Sequence, residues 1–279
     1  MRRLFVFAAI LAATVPVALE ATSAATLDRI RGSGVVRMGY RGDAKPYSYR
    51  DNEGQPAGYI VDLCREVAAA IGPNVRVEYV LVPSDRRFEA IHDGRIDLLC
   101  DPTSVTMQRR EIVDFSLPTF IDGASVISRS SKAVRRFEDL AGKRVGVLEG
   151  TTSEQTLRAS LRDLNLSATI EPVRDHRTGL DLLWDDKIDA YFADRGIISA
   201  ILLEGGRPGF EISRPYFSYE TYALAMPRDD GAFRLLVDRT LARLYRSGKL
   251  ATIMEKTFGK TPLDDLLQAM IVMNAIPEK

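Results

Sequence analysis

Short apolar runs and amphipathic stretches alternate along this chain, and the period of the pattern switches between two residues and the helical repeat. Residues 35–40 (V-V-R-M-G-Y) read as a strand, followed by a loop with Pro46 and a turn at Asp51-Asn52-Glu53-Gly54. Residues 59–71 repeat their apolar side chains at helical spacing, and Gly72-Pro73 ends that helix. Residues 75–82 alternate as a strand does, 86–92 form a short helix stopped by Gly94, and 96–100 are a third apolar strand. Strand, helix, strand, helix, strand in this order predicts a mostly parallel α/β sheet with helices on its faces.

The pattern then restarts. Strands are expected at 124–128, 144–148, 169–173 and 188–193, with helices at 154–161 and 178–184. A last strand at 221–226 leads into helices at 232–247 and near 250–258. The second unit is therefore an insertion in the first. The expected organisation is 26–123 plus 223–260 as one lobe and 124–222 as the other. The chain crosses between them near 121–128 and near 219–225. Two crossings make a hinge, and hinged lobes close around a ligand. About 250 residues are also more than the usual single core accommodates. The tail, 261–279, is expected to pack on a lobe surface through Leu263, Leu266, Leu267 and Met270.

The N-terminus changes the picture from cytoplasm to export. Arg2 and Arg3 precede an apolar stretch at 4–19, and small residues at 21–25 offer cleavage after Ala24 or Ala25. The stretch is shorter than the ~20 residues a membrane span requires, and Pro16 and Glu20 interrupt or end it. Residues 1–25 are expected to be a cleavable signal peptide. No cysteine sits near the cleavage site to carry a lipid, so the mature chain is expected free in the periplasm.

Charge excludes more than it suggests. The full chain has a formal charge of +0, and removing Arg2, Arg3 and Glu20 leaves −1. That balance gives no reason to expect nucleic acid or a membrane surface as a partner. Two cysteines, Cys64 and Cys100, permit one disulfide in an oxidising compartment, with two buried thiols as the alternative. No H-E-x-x-H, C-x-x-C pair, acidic calcium loop, G-x-S-x-G elbow or P-loop occurs, so no cofactor or metal is expected. The chain is expected to be a monomer and not an enzyme.

The candidate chemistry concentrates at 97–116, D-L-L-C-D-P-T-S-V-T-M-Q-R-R-E-I-V-D-F-S. An apolar strand runs into the hydroxyls of Thr103, Ser104 and Thr106, and Arg109 follows in the first turn of a short helix. A guanidinium fork with neutral donors at a strand end is a way to hold a carboxylate. The alternative is an arginine that only caps its own helix. Other polar residues fall at the ends of expected strands, where open α/β sheets bind ligands. They are Arg41 after the first strand, Ser84 and Arg87 after the second, and Asp194 after 188–193. Gly150-Thr151-Thr152-Ser153 opens a helix whose N-terminus favours an anion, and His176 ends another strand region.

The 97–116 stretch closely resembles the signature of periplasmic solute-binding proteins that feed amino-acid ABC transporters. The resemblance extends over about residues 27–260. It implies the two-lobed periplasmic-binding-protein fold of type II, an amino-acid ligand held between the lobes, and a permease in the inner membrane as partner. In that family the arginine matching Arg109 grips the ligand α-carboxylate. The glutamate/aspartate-binding branch is the most similar, through G-Y-R-G-D-A-K-P-Y-S-Y-R-D, P-S-D-R-R-F, E-G-T-T-S-E, R-D-H and D-A-Y-F-A-D. These matches imply that Arg41, Ser84, Arg87 and His176 select the side chain. They imply that Ser104, Thr151 and Thr152 join Arg109 at the α-carboxylate, and that Asp194 holds the ammonium. The branch tends to have Gly-Ser where this chain has Asp101-Pro102. Pro102 removes a donor, while Asp101 adds a negative charge that either meets the ligand ammonium or pairs with an arginine. Periplasmic cyclohexadienyl or arogenate dehydratases resemble the same family. That chemistry would need a proton donor such as Glu149, Glu154 or His176. A third reading is a ligand-presenting partner of a membrane sensor.

Overall fold

The structure, a computed structural model, describes residues 26–260 and 262–279. The expected signal peptide at 1–25 lies outside the described residues.

The first unit runs α1 (Thr26–Ser33), β1 (Val35–Tyr40), β2 (Asp43–Ala44), β3 (Ser48–Arg50), β4 (Pro56–Ala57), α2 (Tyr59–Ile71), β5 (Arg76–Leu81), α3 (Arg87–His92), β6 (Leu98–Cys100), α4 (Met107–Arg110) and β7 (Asp114–Asp122). A second unit follows: β8 (Ala124–Arg129), β9 (Arg144–Leu148), α5 (Thr152–Asp163), β10 (Thr169–Val173), α6 (His176–Trp184), β11 (Ala190–Asp194), α7 (Arg195–Gly205) and β12 (Phe210–Ile212). The chain then returns through β13 (Glu220–Met226), α8 (Gly231–Ser247), α9 (Lys249–Phe258) and α10 (Asp265–Asn274).

Each unit is built on a five-stranded sheet. The orders are β5-β1-β6-β13-β7 and β10-β9-β11-β8-β12. In the first, β1 runs parallel to β5 and β6, and β13 is antiparallel to β6 and β7. In the second, β9 runs parallel to β10 and β11, and β8 is antiparallel to β11 and β12. A small three-stranded sheet, β2-β3-β4, folds the loop after β1 back over α2. Its β3–β4 hairpin contains the turn expected at 51–54.

Alternation along the strands fills both faces of each sheet. Leu98 and Cys100 face a core shared with α2 and α8, whereas Leu99 faces α3 with Ile91 and Phe115. In the second lobe Phe192 packs with Val145, Val147 and Leu157, while its neighbours Tyr191 and Ala193 pack with Leu180 and Ile198. Cys64 of α2 and Cys100 of β6 are joined by a disulfide.

Strand β7 has no counterpart in the expected pattern. Pro118 interrupts its alternation, and it is tolerated because β7 is the outer strand of its sheet. Helices α1, α7 and α10 also go beyond the expected elements. In the tail, Leu267 and Met270 are buried on one face of α10. Leu266 lies off that face and Leu263 precedes the helix, and both stay in contact with solvent, at 50% and 36% exposure.

Candidate functional site

The strand ends of the two lobes face each other across a small cavity of about 20 Å3. The first lobe contributes Arg41, Arg87, Pro102 and Ser104 to its walls, and the second contributes Thr151, Thr152, Ser153, His176 and Asp194. The lobes touch through hydrogen bonds at its rim. Ser84 Oγ donates to the Glu149 carbonyl (3.1 Å), and His176 N donates to Asp43 Oδ2 (3.0 Å).

Three buried guanidiniums cluster on the first-lobe side, Arg41 and Arg87 on the cavity wall and Arg109 behind it. Arg41 follows β1 and pairs with Asp43 at 2.6 Å. Arg87 opens α3 and donates Nη1 to the Ser84 carbonyl at 2.6 Å, while its Nε is buried without a hydrogen-bond partner. Arg109 sits on α4, whose N-cap Thr106 accepts from Arg109 N. Its Nη1 donates to the Ser104 carbonyl at 2.8 Å. Arg87 and Arg109 both lie over the Phe88 ring, at 5.0 and 5.3 Å from its centroid. Burial lowers the pKa of Arg87 to about 10, with Asp101 opposing and Arg109 and Arg41 adding to the shift.

Asp101 belongs to this cluster and not to the cleft wall. It is buried, accepts from the Thr103 hydroxyl, and lies 3.8 Å from Arg87 Nε. Of the two roles considered for it in the sequence, the geometry supports pairing with an arginine.

The second-lobe wall is made of helix starts. Thr151 is the N-cap of α5; its hydroxyl accepts from Glu154 N (3.2 Å) and donates to the Leu148 carbonyl (2.7 Å). That hydroxyl is therefore spent on the helix, and the backbone N–H groups of the first turn supply the anion-facing donors. Thr152 Oγ1 donates to Glu220 at 2.5 Å and lies 3.1 Å from Ser104 Oγ, which is left to act as the donor of that pair. His176 Nδ1 is 3.0 Å from the Tyr191 hydroxyl. Burial lowers the His176 pKa to about 4, with Asp43 opposing and Arg41 reinforcing, so the imidazole is neutral at pH 7.

Carboxylates gather where the hinge meets the second lobe. Asp194 accepts from Ser153 Oγ (2.7 Å) and Tyr222 OH (2.8 Å). Asp122, at the end of β7, accepts from Tyr47 OH and Gly196 N, each at 3.0 Å, and more weakly from Tyr222 OH at 3.3 Å. Burial raises the pKa of both acids, and for Asp194 the neighbouring Glu220 and Asp122 raise it further. Among the described residues no group of three His, Cys, Asp or Glu is placed to hold a metal ion.

Seven of the ten residues singled out in the sequence line one cavity: Arg41, Arg87, Ser104, Thr151, Thr152, His176 and Asp194. Ser84, Asp101 and Arg109 stand behind them, touching the wall residues or their neighbours. The sequence reading missed Asp122, Glu220, Tyr191, Tyr222 and Phe88. Asp122 had a readable signal, an acid at a strand end before Gly123. The aromatic residues lie in apolar runs and read as core.

Residues 36–260 match the model of the bacterial extracellular solute-binding proteins, family 3. The chain belongs to that family. Among family 3 relatives, the L-glutamate/L-aspartate-binding protein of Pseudomonas aeruginosa is 31% identical over 260 residues, covering 91% of this chain and 85% of the relative. A cyclohexadienyl dehydratase of the same organism is 33% identical over 236 residues, covering 82% and 84%. Among solved structures, an ancestral arginine-binding protein bound to arginine superposes with a TM-score of 0.76 at 26% identity, covering 81% of this chain and 99% of that one. The two five-stranded sheets are thus the two lobes of an amino-acid-binding family 3 protein.

Proposed function

We propose that this protein is the periplasmic substrate-binding component of an amino-acid ABC importer, and that it takes an acidic amino acid, L-glutamate or L-aspartate, between its lobes. The observation that carries this reading is Arg87, a buried guanidinium on the cavity wall whose Nε has no hydrogen-bond partner. A buried donor of this kind calls for an acceptor from the ligand. Arg41 and neutral His176 stand at the same cavity, where they complete a donor set for a side-chain carboxylate. The α-carboxylate goes to Arg109, the N–H groups of the α5 N-terminus and the Ser104 hydroxyl, which turns from Thr152 to the ligand, and the ammonium goes to Asp194. Closing the lobes on the ligand creates the form that a permease reads.

The test is calorimetric titration of the stripped mature protein with glutamate, aspartate, glutamine, arginine and prephenate. Glutamine in place of glutamate leaves a guanidinium without its charged partner, which costs roughly 2–5 kcal/mol, or about 30-fold or more in affinity. Arg109→Ala is expected to abolish binding of every amino acid, and Arg87→Ala to weaken the acidic ones selectively. Equal and small effects of both changes would sink the assignment. Turnover of prephenate would instead favour an enzyme. Against that outcome, Glu154 is committed to Gly150 N and Arg158, and His176 is neutral.

A further inference from the structure

We propose that Asp101 is a specificity-setting residue: it is a built-in counter-ion for the arginine cluster, and it limits how tightly a second ligand carboxylate binds. The inference rests on the acidic-ligand reading above and concerns the strength of that preference.

The argument begins with charge. Arg41, Arg87 and Arg109 are each at least nine-tenths buried, Arg41 and Arg87 on the cavity wall and Arg109 behind it, over the same Phe88 ring as Arg87. Three guanidiniums held this way repel one another unless an anion stands among them. Arg41 has its own partner in Asp43. Among the described residues Arg87 has only Asp101 within ion-pair distance, at 3.8 Å from Nε. That separation neutralises charge without making a hydrogen bond, and Nε remains unpartnered.

Geometry gives Asp101 its limited role. Its carboxylate is anchored by the Thr103 hydroxyl behind the wall and does not line the cavity. A ligand carboxylate on Arg87 therefore makes the hydrogen bond that Asp101 cannot make, but it also meets the Asp101 charge across the guanidinium. A neutral amide at the same place makes the hydrogen bond and feels no such repulsion. Asp101 thus narrows the gap between an acid and its amide. In the ligand-free protein it does the opposite service, because it offsets the repulsion among the arginines.

The test is Asp101→Asn, which keeps an acceptor for Thr103 and removes the charge. Affinities for L-glutamate and L-glutamine are measured by calorimetry, alongside the melting temperature of the ligand-free protein. The expected result is glutamate binding tightened about tenfold, glutamine changed by less than about twofold, and a lower melting temperature without ligand. In an Arg87→Met background the same substitution is expected to shift the glutamate-to-glutamine ratio less, since the ligand side chain is no longer held by Arg87 beside the Asp101 charge. Proportional changes for both ligands, or an unchanged ratio, overturn the inference and reduce Asp101 to a structural residue or one that holds no charge against the ligand. Failure of the acidic-ligand reading shows separately, as a wild-type protein that binds glutamate no better than glutamine. Even then, a rise in the ratio on Asp101→Asn supports the inference, and an unchanged ratio overturns it.

Discussion

His176 owes its chemistry to a residue that sequence patterns hide. Tyr191 lies in the apolar run of β11, where its ring is core and its hydroxyl reaches His176 Nδ1 at 3.0 Å. Burial raises the phenol pKa well above its ordinary value, so Tyr191 is a donor at neutral pH. In the tautomer with Nδ1 unprotonated, the Tyr191 hydroxyl donates to that nitrogen and Nε2–H is the ring's free donor. This tautomer suits a carboxylate acceptor. It also has a stability consequence. The His176 pKa is about 4 in the folded protein against an ordinary 6.5, so the unfolded chain takes up a proton between those values that the folded protein refuses. The contribution is complete above the unfolded value and is lost as pH falls toward 4, amounting to about 3 kcal/mol at most. Denaturant unfolding at pH 7 and pH 5 checks this. His176→Gln is expected to lose less stability than the wild type over that interval. The comparison must be a difference, because Asp194 and Asp122, with raised pKa values, contribute in the opposite direction over part of the same range.

At the scale of elements, the hinge depends on a close approach that only glycine permits. β7 ends at Asp122 and β8 begins at Ala124, so Gly123 alone makes the first crossing. A Cβ on Gly123 would lie 1.9 Å from the Ser218 carbonyl oxygen of the returning segment and 3.1 Å from the Tyr216 ring. Gly123→Ala therefore forces the two crossings apart, at a cost of about 1–3 kcal/mol. Scanning calorimetry is expected to show a fall of several degrees in melting temperature. Gly32→Ala, with open space around its added methyl group, is the control and is expected to show none. Much of this architecture was legible in the chain. Strands β1, β9 and β10 and helix α2 follow from periodicity and from glycine or proline stops, since each is long enough to display its period. β7 was not legible, because Pro118 breaks the alternation and only its edge position makes it a strand. α7 carries its stop at Gly206, which adopts the left-handed conformation with φ 51°, but Gly196 weakens the pattern at its start. The cavity residues at strand and helix ends could be gathered from topology. The carboxylates of the hinge could not, because their proximity arises only where β7, β13 and α7 meet.

For the whole molecule, lobe contact and ligand charge are linked through those carboxylates. Asp194 belongs to the second lobe, whereas Asp122 and Glu220 sit on the two hinge strands β7 and β13, opposite each other in register. Tyr222 OH reaches both Asp194 and Asp122, and Asp122 also accepts from Gly196 N at the start of α7. Bringing the lobes together therefore buries two carboxyl groups beside a third acid. Without a cation at Asp194, burial and mutual repulsion keep a proton on the pair at pH values where exposed carboxylates have lost theirs. A ligand ammonium at Asp194 supplies the missing positive charge and displaces that proton. The folded pKa is raised, so within the window between the ordinary carboxylate range and the raised value, binding releases protons and affinity rises with pH. Within that window the proton competes with the ammonium; above and below it the dependence vanishes. Glutamate titrations at pH 6 in phosphate and in Bis-Tris, whose ionisation enthalpies differ, are expected to give different apparent heats, with a slope that corresponds to release of up to about one proton. Asp122→Asn removes one member of the pair and is expected to reduce that slope. Identical heats in both buffers would mean that the pair is already ionised, and that lobe closure does not depend on the ligand amino group in this way.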